Sequence, residues 1–191
     1  MNLLDQIDRR LGDPDFAFSR DLFERCATDL LTELYPNLVP ITGGSDDGRD
    51  ADITDPDGTI GVLITSARDI KGVLENLRSG CRQMIAKEVP NRRLILANLA
   101  VLNASKRKQI HAAAMELDFK VVEIYPRPWF AHRLRGNPEW RVALLQLRGG
   151  VYTLSRPPGD ELGQDVAMAT VGSCRGNRVD PPTPGGPGRQ W

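Results

Sequence analysis

The sequence predicts an α/β domain with a mixed central sheet flanked by helices. Three observations predict it. Apolar residues at helical spacing alternate with short β-branched runs between residues 19 and 148. The order is one helix, three strands, then helix, strand, helix, strand and two short terminal helices. The turn Asp55-Pro56-Asp57-Gly58 ties two of the strands into a hairpin. A strand–helix–strand–helix run at this spacing implies parallel pairing with right-handed crossovers, and the hairpin makes the sheet mixed.

Phe18, Leu22, Cys26, Leu30 and Leu34 recur at helical spacing, with Ser19 as N-cap and Asp21 in the first turn. That helix is expected over residues 19–34, ending at Tyr35-Pro36 because the residue before a proline disfavours the helical region. Leu38–Ile41 reads as a short strand, and residues 42–48 as a polar glycine-rich turn. Residues 51–54 and 60–66 form the hairpin. The second strand is nearly continuous in apolar residues, which places it centrally with both faces covered. Ile70, Val73, Leu74, Leu77, Cys81, Met84 and Ile85 trace one stripe of a helix. A strand follows at 92–97, then a helix at 104–117 with Ile110, Ala113, Ala114 and Leu117 inward. The last strand is 119–125, and 127–135 and 138–147 are short helices.

Residues 1–18 are expected as an N-terminal extension and 151–191, rich in Pro and Gly, as a linker or disordered tail. No apolar run approaches the roughly 18 residues that span a bilayer, and no apolar signal core opens the chain. A cytoplasmic protein without membrane contact is the expectation. Cys26, Cys81 and Cys174 lack metal-ligand spacing and read as reduced thiols, the first two on apolar helix faces.

The formal net charge of zero hides an asymmetry. Residues 1–60 carry 14 acids against 5 basic residues, and residues 61–150 carry 7 acids against 16. This fits either a cation site beside a phosphate-attracting surface, or two surfaces that neutralise one another.

Asp46, Asp47, Asp50 and Asp52 crowd the glycine turn. Carboxylates so close repel unless a cation neutralises them, and Mg²⁺ takes oxygen ligands of this kind. A solvated acidic loop is the alternative. The spacing Gly43-x4-Gly48 mimics a phosphate-binding loop, but Arg49 and Asp50 stand where Lys and Ser or Thr belong.

The stretch Phe23-Glu24-Arg25 … Tyr35-Pro36 … Ile41-Thr42-Gly43-Gly44-Ser45-Asp46-Asp47-Gly48-Arg49-Asp50-Ala51-Asp52 resembles the start of Mrr-like members of the PD-(D/E)xK nuclease superfamily. Residues 35–140 are also similar to a module found ahead of STAND-type NTPase regions in bacterial defence proteins. The resemblance implies a restriction-endonuclease-like three-layer fold over residues 19–150. It implies Asp50 and Glu24, with Asp52, as Mg²⁺ ligands of a DNA endonuclease. The second acid and the lysine of that superfamily belong on the central strand, where Ile64-Thr65-Ser66-Ala67 stands instead. Lys71 is then the expected catalytic lysine, displaced into the next helix, with Arg68 a weaker substitute. Arg68, Arg92, Arg93, Lys106, Arg107 and Lys108 are the candidate phosphate contacts. The expected partners are DNA and either a second copy or a larger defence NTPase. The alternative is a catalytically degenerate module of the same fold that binds DNA or protein.

Overall fold

A computed structural model of the protein describes residues 1–41 and 48–147. Eleven elements follow one another: α1 (Leu3–Gly12), α2 (Arg20–Thr32), β1 (Leu38–Pro40), β2 (Ala51–Asp55), β3 (Gly58–Thr65), α3 (Ile70–Ala86), β4 (Arg93–Asn98), α4 (Ala104–Met115), β5 (Lys120–Tyr125), α5 (Arg127–Gly136) and α6 (Pro138–Leu145). The strands form one sheet in sequence order, β1-β2-β3-β4-β5. Its first two pairings are antiparallel and its last two parallel, so the sheet is mixed as expected.

Local chemistry sets the helix starts. Ser19 Oγ accepts the Leu22 amide at 3.4 Å, Asp69 Oδ1 that of Gly72 at 2.9 Å, and Asn103 Oδ1 that of Lys106 at 2.9 Å. Each satisfies an amide that the first turn of a helix leaves without a partner. In the β2–β3 turn, Gly58 takes φ +108°, a conformation that costs glycine little.

Helices cover both faces of the sheet. On one face Ile7 and Leu11 of α1, Phe23 and Leu31 of α2, and Phe130 and Leu134 of α5 pack with Ile53, Val62, Ile64 and Ile95. On the other, Val73, Leu77 and Met84 of α3 and Ile110 and Ala114 of α4 pack with Leu63, Leu94, Leu96 and Val121. Central β3 is buried from Ile60 to Thr65, as its continuous apolar run predicts. A shift in register between Leu94 and Ile95 lets Val121 and Ile124, three residues apart, both face the α3–α4 layer.

Three expectations are corrected. Residues 1–18 are no mere extension: α1 inserts the fully buried Ile7 and Leu11 into the first core. Helix α2 ends at Thr32, so Leu34 lies beyond it and is exposed, while Phe23, Ala27 and Leu31 widen the buried stripe. Ile85, assigned to the α3 stripe, is exposed in the last turn. Cys26 and Cys81 are buried free thiols, and burial pushes them up to about 12 and about 11. The turn residues 42–47, with Asp46 and Asp47, the segment 151–191 and Cys174 lie outside the described residues. Among the described residues no helix is long and apolar enough to cross a membrane.

Candidate functional site

Asp50 sits where the chain enters β2, and two glycines decide how closely it approaches α3. Gly48 has φ +84°, and a Cβ there would collide with the Gly80 carbonyl oxygen. Conversely, a Cβ on Gly80 would lie 2.7 Å from the Gly48 carbonyl oxygen. The backbone before Asp50 therefore rests directly on the helix.

Asp50 is held on three sides. Its amide donates to Val62 O at 2.8 Å and its carbonyl accepts from Ile41 at 2.9 Å. Its Oδ2 accepts the Ile64 amide at 2.6 Å, a short charge-assisted bond. The hairpin pairing runs as far as Ala51 opposite Val62, and beyond it Asp50 lies beside Leu63 and Ile64. Alternation then puts Thr65 on the same face of β3 as Leu63. Neither residue carries a charge. Thr65 is buried, and its Oγ1 accepts from Asn76 Nδ2 at 3.0 Å and from the Ala67 amide at 3.2 Å.

In front of Asp50 lies a groove of about 220 Å³ whose side-chain lining includes Arg20, Asn76, Ser79 and Gln83. Glu24 borders it indirectly, because it pairs with Arg20 at 2.5 Å. The structure thus lines one groove with Asp50 and Arg20, and Glu24 reaches it only through its pair with that arginine. Sequence reasoning missed Asn76, Ser79 and Gln83. Their spacing of three and four residues marks one polar face of α3, a signal present in the sequence.

The other expected site residues are engaged elsewhere. Asp52 gives both oxygens to Arg49, Oδ1 to Nε at 2.6 Å and Oδ2 to Nη2 at 3.0 Å. Lys71 is 85% exposed and faces Glu75 at 4.0 Å. At 100° per residue it lies about 140° around the helix from Asn76, away from the groove. Arg68 donates to Leu11 O at 2.9 Å and Phe16 O at 2.8 Å. Arg92 donates to Val89 O and Asn91 O and lies over the Phe119 ring, and Arg93 pairs with Asp55 at 2.7 Å. Lys106 donates to Val101 O at 3.2 Å, whereas Arg107 and Lys108 make no ion pair among the described residues.

The donor set does not fit the Mg²⁺ site that the resemblance implies. Asp50 brings one carboxylate, already bonded to an amide; those of Asp52 and Glu24 are paired with arginines. Among the described residues, no group of three or more His, Cys, Asp or Glu is placed to hold a metal ion.

Compared with protein-family models, curated proteins and solved structures, the chain matches none.

Proposed function

We propose that the chain is a nucleic-acid-binding module built on the restriction-endonuclease-like layout and that it does not cleave. One observation carries this reading: Asp50 stands at the mouth of the hairpin, yet the part of β3 beside it, Leu63 to Thr65, carries no charge. The resemblance calls for an acid and a lysine within Ile64-Thr65-Ser66-Ala67, which holds neither. Phosphodiester hydrolysis in that superfamily needs a metal-held water and a cation near the scissile phosphate. A leucine packed on Gly80 and a buried threonine supply neither. The order of one helix, a three-stranded unit, a helix and a fourth strand supports the fold assignment.

Contact with nucleic acid is assigned to Lys106, Arg107 and Lys108 at the start of α4. Three phosphate contacts give a salt slope of about −2.7, so affinity falls about 40-fold between 50 and 200 mM salt. Fluorescence anisotropy of a labelled DNA duplex against salt measures this slope, and replacing the three residues by Gln should remove it. A slope near zero in the wild-type protein would refute the reading.

The competing reading is a Mg²⁺-dependent endonuclease, and the convergence of Asp50 and Glu24 on one groove through Arg20 favours it. Nicking of supercoiled DNA that disappears in Asp50→Ala would decide for it. Residence in the bacterial cytoplasm, and association with a defence NTPase or with a second copy, are further parts of our proposal and rest on the resemblance.

A further inference from the structure

The strands β3, β4 and β5 run parallel, and in open α/β sheets ligands enter outside the carboxyl ends of such strands. Two arginines stand at those ends. Arg68 follows β3 and Arg127 follows β5. Burial lowers the Arg68 pKa, Asp13 opposes the shift, and the charge of Arg127 adds to it.

Every partner these guanidinium groups find in the structure comes from residues 8–18. Arg68 uses Nε and Nη2 as a fork on the carbonyl oxygens of Leu11 and Phe16 and lies 4.9 Å from the centre of the Phe18 ring. Arg127 Nε donates to Asp8 Oδ1 at 3.1 Å, with its guanidinium lying against Gly12. Beside it is a cavity of about 450 Å³ lined by Asp8, Arg9, Gly12, Asp13, Asp15 and Arg127, three acids against two arginines. The N-terminal strap thus offers the arginine pair two acceptor oxygens in a fork and three nearby negative charges. A phosphodiester backbone offers the same chemistry, because a guanidinium fork matches a pair of phosphate oxygens.

We propose that Arg68 and Arg127 form a second phosphate-binding site, for a nucleic-acid backbone, and that the segment Asp8–Phe16 masks it as an intramolecular competitor. The proposal rests on the nucleic-acid reading above but uses a different surface. Helix α1 stays anchored through Ile7 and Leu11, and the Leu11 carbonyl oxygen keeps Arg68 Nε. Unmasking therefore frees Arg127 and the Nη2 of Arg68 once the acidic side chains and residues 13–16 give way.

The test is DNA-duplex anisotropy on the full chain, with circular dichroism to confirm folding. Asp8→Asn, Asp13→Asn and Asp15→Asn together unmask the pair. Asp21→Asn, Asp57→Asn and Glu75→Gln together make the same change in net charge on exposed positions elsewhere. The strap variant is expected to bind about tenfold more tightly than the charge control, and adding Arg127→Gln is expected to abolish that gain. Equal binding by the strap variant and the charge control overturns the masking. If the wild type binds through Lys106, Arg107 and Lys108 while those two variants tie, only this proposal fails. If the wild type and the charge control do not bind but the strap variant does, the open α4 surface fails and the masked site stands. No binding by any of them overturns both.

Discussion

The antiparallel and parallel halves of the sheet treat their charged residues differently. On the antiparallel side, acids crowd the hairpin, and three of them have a bond within the chain: Asp50 to the Ile64 amide, Asp52 to Arg49 and Asp55 to Arg93. On the parallel side, cations gather where strands end, with Arg68 and Arg127 held by the N-terminal strap, and on α4 Arg107 is half-buried and Lys108 exposed. Three ion pairs, Arg93–Asp55, Arg127–Asp8 and Arg133–Glu33, join the acidic first third of the chain to the basic middle. Part of the charge asymmetry is therefore neutralised internally, while Lys108 on α4, like Arg82, Lys120 and Arg135, is exposed with no ion pair among the described residues.

Substitutions that disturb the antiparallel half should have the largest effect. Gly80→Val puts two methyl groups against the Gly48 backbone, where no flexible side chain can yield. The expected loss is about 3 kcal/mol of unfolding free energy, even though valine is a better helix former than glycine. Urea denaturation measures it, and a neutral result would show that the Gly48–Gly80 contact is not tight.

Arg68→Gln comes next, at about 2 kcal/mol, because two carbonyl oxygens lose charge-assisted donors. Hydrogen exchange should rise across residues 11–18 and stay unchanged in β2 and β3. Faster exchange in the hairpin would mean that the two halves are coupled through Arg68.

The buried thiols give a smaller effect with a defined sign. Both Cys26 and Cys81 have raised pKa values, about 12 and about 11 against 9.0 for a free thiol. Below pH 9 neither state ionises them, so their contribution is fully present. Above it only the unfolded chain loses the protons, and stability falls as pH rises toward those values. Tyr125, raised by burial and by its bond to Tyr35, acts in the same direction at higher pH. A Cys26→Ala, Cys81→Ala variant should show a shallower alkaline decline in melting temperature; an unchanged slope contradicts burial of the thiols as thiols. Smallest of all, Lys71→Ala should change stability by less than about 0.5 kcal/mol and leave DNA binding intact.

Much of the fold was legible because its signals are local. The Ser19 cap, the Gly58 turn and the unbroken apolar run of β3 each act within a few residues, and each is found where the sequence places it. Helix α1 was missed although Leu3, Ile7 and Leu11 have helical spacing. Its packing partner α5 lies more than a hundred residues away, and no local pattern names such a partner. The site divides in the same way. The position of Asp50 could be read, whereas the direction of Lys71 depends on helix phase and the partners of Arg68 on a long-range contact. The engagement of Asp52 was not foreseen, because Arg49, three residues earlier, reaches forward to donate to both its oxygens.

The central claim is binding without cleavage, and it is tested most directly on supercoiled plasmid under saturating protein with Mn²⁺. The account predicts a retarded plasmid that remains fully supercoiled after the protein is removed. Metal-dependent conversion to nicked or linear DNA, lost in Asp50→Ala, would contradict it and make the groove in front of Asp50 an active site.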